Sequence, residues 1–317
     1  MNDLSYVLVT AAHNEERFVR ATLESVLSQS LRPRKWVIVS DGSTDRTADI
    51  VSGYAVNYPI IQLLRSERKQ GRSFKAQAVA IRAGYLELQQ LDYGFIGNLD
   101  ADITLEPDYF IRLLKHFAIE PRLGLAGGFI TEEDNGVFRN RRYNSVRSVA
   151  HAVQLFRREC FEDIGGYAPL EHGGPDWHAE VLARMKGWEV RCFPDLPVRH
   201  HRRTGSAESL LRDRIGRGKT DYSLGSHPVF EMLKCLRRIP QTPRFWGALA
   251  TFCAFAWCYI ARKERQVSPD FLHFLRQEQM SRVRAAFAEG VSRLTKIGFK
   301  QQEEFREQKE KSAQESE

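Results

Sequence analysis

No Cys-x-x-Cys pair occurs among the five cysteines of the sequence, Cys160, Cys192, Cys235, Cys253 and Cys258. Zinc-finger and dithiol redox chemistry are thereby set aside, and an odd number of thiols in a long chain reads as reduced cysteines in a cytosolic compartment. A secretory leader is not expected either, because Met1 leads straight into a short strand without a charged start or a cleavage site. No glycine-rich signature stands near the N-terminus, where Ala11-Ala-His-Asn is found instead, and this weighs against nucleotidyl transfer. Internal repeats are missing, as is any Ser-His-Asp or Cys-His set with a supporting motif. The uncharged stretch from Phe245 to Ala261 falls short of the about 20 apolar residues that a spanning helix needs. It is expected to lie in a membrane surface first, to be buried second, and to span last.

What is present is an ordinary folded composition, 42% hydrophobic and 27% charged, with a net charge of +7 over 317 residues. A basic balance favours nucleic acid, anionic lipid or phosphate-bearing ligands without choosing among them. The most informative stretch is Phe95-Ile-Gly-Asn-Leu-Asp-Ala-Asp-Ile103. An apolar run ending in Asp100 and Asp102 reads as a buried strand with two carboxylates at its carboxyl end, where ligands of open α/β sheets bind. Residues i and i+2 point the same way on an extended chain, so both acids can approach one hard divalent cation.

Strands are expected at Tyr6–Thr10, Trp36–Ser40 and Ile60–Leu64, with helices opening at Asn14, Arg46 and Ala76. Alternation of this kind predicts a doubly wound α/β sheet. Asp41-Gly-Ser-Thr-Asp45 is open to two readings: helix-capping chemistry, or a carboxylate at a strand end that binds a base or ribose. Lys69-Gln-Gly-Arg-Ser-Phe-Lys-Ala76 is a basic, glycine-bearing turn into a helix and suits a phosphate, or is a solvated charged loop. Gly127 and Gly128 permit close approach of a sugar, or mark a bulge.

Val-Thr-Ala-Ala-His-Asn-Glu-Glu at 9–16, followed by Val-Ile-Val-Ser-Asp-Gly-Ser-Thr-Asp at 37–45, resembles the opening of the family 2 glycosyltransferases. The chain departs from the family pattern at Ala11, His13 and Ser40. The resemblance, over about residues 5–205, implies a GT-A type, Rossmann-like mixed sheet flanked by helices, with a helical C-terminal extension. It implies inverting sugar transfer from a nucleotide-diphosphate donor, chiefly a UDP-sugar, to an acceptor hydroxyl in polysaccharide, glycolipid or cell-envelope glycan synthesis. Ala11, His13, Glu15, Asp41, Lys75 and Asp100 are then expected to bind the nucleotide-sugar, with Arg72 behind Lys75. Asp100 and Asp102 would hold Mn or Mg, Asp102 as the direct ligand.

Gln154-Leu-Phe-Arg-Arg with Gly165-Gly-Tyr167 resembles the family's segment before the acceptor site. Gly174-Pro-Asp-Trp-His-Ala-Glu180 falls where the family has Glu-Asp before a helix, so Asp176 is the candidate general base. Its alternative is a helix N-cap. Val198-Arg-His-His-Arg-Arg offers His200 or His201 as a third metal ligand, with Arg199, Arg202, Arg203 and Arg212 able to neutralise a diphosphate. Residues 211–228 read as a mobile basic loop, and 230–238 as an amphipathic basic helix. Another helix is expected over 270–294. The expected division is a catalytic domain over 1–228, a helical, membrane-associated region over 229–297 and a charged flexible tail over 298–317. The acceptor is expected to be a glycan or lipid-linked hydroxyl and the location the cytoplasmic face of a membrane, with an anionic membrane surface as a further partner and no nucleic acid. A noncatalytic basic module is the reading from another class. Three acids clustered at predicted strand ends argue against it.

Overall fold

The computed structural model describes residues 4–67, 74–134, 137–141, 144–202, 210–241 and 243–288. The basic turn at 69–73 with Arg72, the side chain of Arg203 and the tail from 298 lie outside the described residues. The chain divides into two compact units, Met1–Thr220 and Asp221–Glu317.

The first unit is built on one mixed sheet. Strands β1 (Tyr6–Ala12), β2 (Lys35–Asp41), β3 (Ile61–Ser66) and β4 (Phe95–Leu99) are followed by β5 (Ile103–Leu105), β6 (Leu123–Asp134), β7 (Val137–Asn140), β8 (Val153–Arg157) and β9 (Glu189–His200). Their order is β3-β2-β1-β4-β8-β6-β9-β5, with β7 paired to β6. The first four strands are parallel, and β8 joins β4 antiparallel. Helices α1 (Val19–Leu27), α2 (Thr47–Asn57), α3 (Phe74–Leu86), α4 (Tyr109–Ile119), α5 (Arg158–Asp163) and α6 (Pro175–Met185) accompany the sheet.

Strand residues alternate between two cores. Leu8, Trp36 and Ile38 meet Leu23 and Val26 of α1 and Phe110 and Leu113 of α4, whereas Val7, Val9, Val37 and Val39 meet Ala78 and Ile81 of α3. Burial on both faces explains why these strands read as continuous apolar runs. Each fully buried side chain contributes roughly 1.5–3 kcal/mol.

The order places β2 and β3 on one side of β1 and β4 on the other. The loops after β1 and β4 therefore part at a topological switch point, the crevice where open α/β sheets bind ligands.

Several local expectations are corrected. Helix α1 starts at Val19, not Asn14, because Asn14 has φ of 55° and residues 14–16 bond to the loop after β2. It ends at Leu27, short of Leu31. Residues 210–223 form a helix, α7 (Leu210–Ser223), where a mobile loop was expected. Burial of Arg214 and Gly218 one turn apart supplies the helical face that its glycines obscure in the sequence. Gly127 and Gly128 answer packing rather than a sugar. A Cβ on Gly128 would lie 1.8 Å from the Leu196 carbonyl oxygen, and one on Gly127 2.6 Å from that of Val153. The register between β6 and β9 shifts between Gly128 and Ile130, so the pair marks a bulge.

The second unit contains α8 (Pro228–Arg238), α9 (Arg244–Ile260) and a helix over 269–288. Tyr222, Phe255 and Cys258 form its apolar cluster, and the Tyr222 hydroxyl donates to the Lys263 carbonyl at 2.7 Å. No helix among the described residues is long and apolar enough to cross a membrane.

Candidate active site

The loops after β1 and β2 are clasped together. Asn14 Oδ1 accepts from the Thr44 amide at 2.8 Å, Thr47 Oγ1 from the Glu15 amide at 2.7 Å, and Asp45 Oδ2 from the Glu16 amide at 3.0 Å. Asn-Glu-Glu and Asp-Gly-Ser-Thr-Asp thus act as one structural piece. Within it, His13 Nδ1 lies 2.7 Å from the Asp41 carbonyl oxygen, which holds the ring at the end of β2. Asp41 is buried as the last residue of β2 and does not cap a helix. The residue that steadies the start of α2 is Asp45, whose Oδ1 accepts from the Thr47 amide at 2.9 Å. These bonds hold the Asp45 carboxyl below its usual range, although partial burial pushes the other way. Ala11 lies near the end of β1 beside this clasp.

Strand β4 ends at Leu99, and Asp100-Ala-Asp102 forms a turn rather than the extended segment expected. Thr22 Oγ1 of α1 pins that turn from below, 2.8 Å from the carbonyl oxygens of both Ala101 and Ile103. The carboxylates still converge. Ligand atoms of Asp100, Asp102 and His200 all lie within 4.8 Å of one another.

Pairing of β5 with β9 settles which histidine takes part. Ile103 sits opposite His200, and His200 Nε2 is 3.5 Å from Asp102 Oδ1. His201 is carried past the strand end, its amide donating to the Asp102 carbonyl at 2.9 Å. Its ring stacks on Phe18 and reaches Thr104 Oγ1 at 3.0 Å.

Arg202 joins this centre. Its guanidinium pairs with the buried Glu15 carboxylate, its Nε is 3.6 Å from Asp102 Oδ2, and it lies over the Phe18 ring at 5.6 Å. The sequence places Arg202 among several arginines and does not distinguish it. Arg199 points elsewhere, to Glu106 at 2.6 Å. Lys75 stands in the first turn of α3 and pairs with Glu171 at 2.8 Å, both being exposed.

Asp176 is not an N-cap. Gly174 takes that place in a left-handed conformation because Pro175 occupies the first helical position, leaving Asp176 in the first turn of α6. Burial raises the Asp100 carboxyl above its ordinary range; His151 opposes that shift, and the neighbouring charges of Asp102 and Asp176 reinforce it. Asp176 is thus near enough to the Asp-x-Asp turn for its charge to act on Asp100.

One buried group in α6 escapes sequence reasoning. Glu180 accepts from the Val149 amide at 2.8 Å and from Ser148 Oγ at 3.1 Å, tying α6 to the loop before β8. Burial, with Asp176 adding to it, pushes its carboxyl up to about 8. The unfolded chain loses this proton near 4.5. Its stabilising contribution is therefore complete below about pH 4.5 and declines as pH rises through about 8. Glu180→Gln is expected to flatten the melting temperature between pH 5 and 9 and to raise it at the alkaline end, as read by thermal unfolding. An unchanged slope would show that Glu180 is ionised in the fold.

With the switch point and the converging carboxylates in place, the comparisons with known proteins decide the family. The model of glycosyl transferase family 2 matches residues 7–173, more than half of the chain. The chain belongs to that family. It is 30% identical over 247 residues to poly-beta-1,6-N-acetyl-D-glucosamine synthase of Staphylococcus epidermidis, covering 71% of this chain and 55% of that protein. The synthase of the same name from Staphylococcus aureus (strain COL) is 27% identical over 202 residues, covering 58% and 47%. The chain thus spans about half the length of the curated relatives it matches. Among solved structures, a mannosyltransferase from Pyrobaculum calidifontis in complex with GDP-Man and Mn2+ aligns with a TM-score of 0.53, 18% identity and coverage of 92% and 82%. TarS of S. aureus, in complex with UDP-GlcNAc, aligns with a TM-score of 0.52, 16% identity and coverage of 86% and 78%. These likenesses establish the GT-A type of fold, as expected from the sequence.

Proposed function

We propose that the chain is an inverting glycosyltransferase that uses a divalent metal and a UDP-sugar, with UDP-N-acetylglucosamine the first donor to test. The observation that carries this reading is the Asp100, Asp102 and His200 cluster at the switch point, with Asp176 near enough for its charge to act on Asp100. Two carboxylates and an imidazole form a donor set that fits manganese well and magnesium less well. His200 Nδ1 is buried without a hydrogen-bond partner among the described residues, so no protein group fixes its tautomer against metal binding through Nε2. When bound there, the metal offsets negative charge on the departing diphosphate.

The protein groups do the rest. Ala11, His13 and Asp41 line the nucleotide end of the crevice, where the Asp41 carboxylate suits the base. Asp100 serves the ribose side. Glu15 holds Arg202 beside Asp102, which puts a fixed positive charge next to the diphosphate. Lys75, paired with Glu171 in its absence, can exchange that exposed partner for a phosphate. Asp176 accepts the proton of the acceptor hydroxyl as its oxygen attacks the anomeric carbon and the bond to the diphosphate breaks. A single displacement of this kind inverts the anomeric centre. The acceptor is a glycan or lipid-linked hydroxyl of cell-envelope polysaccharide synthesis, in keeping with the names of the relatives.

The test is calorimetric titration with UDP, UDP-N-acetylglucosamine and GDP-mannose, each with and without manganese. Metal-dependent binding of a UDP compound supports the reading, and binding of GDP-mannose alone changes the donor. Failure of all three to bind ends it.

The same reading places the protein on the cytoplasmic face of a membrane. Helix α9 buries Gly247, Ala248, Thr251, Phe255 and Cys258 on one side. Its other side presents Phe245, Trp246, Leu249, Cys253, Trp257 and Ile260, all exposed and none charged. Arg244, Arg262 and Lys263 flank this face. Apolar side chains with tryptophan and bordering cations suit an anionic bilayer interface. Replacing Trp246 and Trp257 together by serine is expected to weaken sedimentation with vesicles of phosphatidylcholine and phosphatidylglycerol by about tenfold or more. Equal sedimentation of the two forms would remove the membrane from the proposal.

A further inference from the structure

Away from the metal-ligand cluster, a cavity of about 480 Å³ opens between α1 and α2, a volume within the range of small-ligand sites. Its lining runs from Arg46, just before α2, to Tyr58, just after it. The site therefore follows the whole helix, 11 residues and about 16 Å long. None of its lining residues has a part in the proposed reaction.

Tyr54 and Tyr58 stand one helical turn apart with their rings nearly parallel, 21° between planes and 6.2 Å between centroids. Helix α1 holds Tyr54 in place. The Tyr54 hydroxyl donates to Glu24 Oε1 at 2.8 Å and accepts from Arg20 at 3.4 Å, and the Arg20 guanidinium lies over the ring at 5.7 Å. Tyr58 is 37% exposed. Gly53 leaves the wall beside these rings open, since a Cβ there would meet nothing within 4 Å. Glycine is unfavourable inside a helix, and neither a close neighbour nor a positive φ calls for it at this position. What its missing side chain provides is room in the cavity.

The polar groups of the lining say what fills that room. Arg46 spends its amide on Glu16 Oε2 at 3.2 Å, and its exposed guanidinium forms no ion pair among the described residues. Asp49 is paired only with Arg65, at 3.6 Å and with both side chains largely exposed, a weak bond that a ligand can replace. Asn57 Nδ2 donates to the Gly53 carbonyl at 3.3 Å, which leaves Oδ1 as an acceptor. Arg20 and Arg46 thus share the lining with Asp49, whose carboxylate repels an anion. A neutral ligand rich in hydroxyls uses donors and acceptors alike, and the C–H faces of pyranose rings pack on the negative faces of tyrosine rings.

We propose that the groove between α1 and α2 is a glycan-binding site that holds a segment of the acceptor chain outside the crevice. The inference rests on the glycosyltransferase reading, which supplies a glycan as acceptor, and adds a second place where that glycan touches the protein. Arg46 follows directly on the loop after β2, so the groove starts at the rim of the crevice and leads away from it.

The test is calorimetric titration of the full chain with an oligosaccharide of β-1,6-linked N-acetylglucosamine, with UDP and manganese present to fill the crevice. Wild type, Tyr58→Ala and Gly53→Gln are compared. Wild type is expected to bind the oligosaccharide, and Tyr58→Ala, which removes one stacking face, to bind it about tenfold less tightly. Gly53→Gln fills the open wall without a clash and is expected to lose at least as much affinity while melting no lower than wild type. UDP affinity, titrated separately, should agree within about twofold in all three forms. Failure of wild type to bind the oligosaccharide, or unchanged binding in either variant, would overturn the proposal. So would binding of inorganic pyrophosphate that Gly53→Gln abolishes, since the groove would then serve an anion. A wild type that binds no UDP would instead overturn the reading on which the proposal rests.

Discussion

Asp102→Asn is expected to reduce UDP affinity in the presence of manganese to the level seen without metal, and to slow sugar transfer by about 10³-fold or more. Asp102 is 5% exposed and lies between His200 and Arg202, so it is the group through which the cluster is held together. An amide of the same shape keeps the packing but removes the negative charge that a divalent cation requires. It also leaves Arg202 with Glu15 as its carboxylate partner, so the crevice retains a cation that can hold UDP weakly. Calorimetry with and without manganese separates the two contributions, and a melting curve checks that the variant is folded. Retention of metal-enhanced UDP binding by Asp102→Asn would mean that the metal is held elsewhere.

Asp176→Asn is expected to do the opposite. Donor affinity should stay within about twofold, while single-turnover transfer falls by about 10²- to 10⁴-fold, the range of a lost general base. The contrast follows from placement. Asp176 sits in the first turn of α6, and Pro175 and Gly174 fix that turn without help from the Asp176 side chain. Removing its charge therefore spares the helix. It also relieves Asp100 of a neighbouring negative charge, so donor binding has no reason to weaken. A parallel fall in donor affinity and rate would assign Asp176 to binding, and an unchanged rate would move the base to another residue.

The two variants bracket the reaction from its two ends. They also separate enzyme from basic binding module: such a module would lose nothing in either variant, and its binding would weaken steeply with salt.

Much of this was legible in the residues themselves. Strands such as Val7–Val9 and Trp36–Val39 announce their burial on both faces by apolar runs without alternation, and the positions of Asp41, Asp100 and Asp176 at element ends follow from where those runs stop. Local chemistry misled where it was ambiguous. Asn14 looks like the start of a helix until its bonds to Thr44 are known, and the glycines at 216 and 218 look like a loop until the burial of Arg214 and Gly218 is seen. Gly127 and Gly128 announce a need for space but not its cause, which is the Leu196 carbonyl and the neighbouring strand.

By itself, the sequence determined the class of fold, because strand and helix periodicity and turn residues act over a few neighbours, and the resemblance of its motifs to family 2 glycosyltransferases pointed to the family and to the acids available for chemistry. The tertiary structure alone decided which groups meet. His200 rather than His201 reaches Asp102 because β5 and β9 pair in one register, and a shift of one residue would exchange them. Arg202 joins Glu15 across 187 residues of chain, and Glu180 holds the loop before β8. No local pattern encodes such meetings, since they are set by the packing of the whole sheet and its helices.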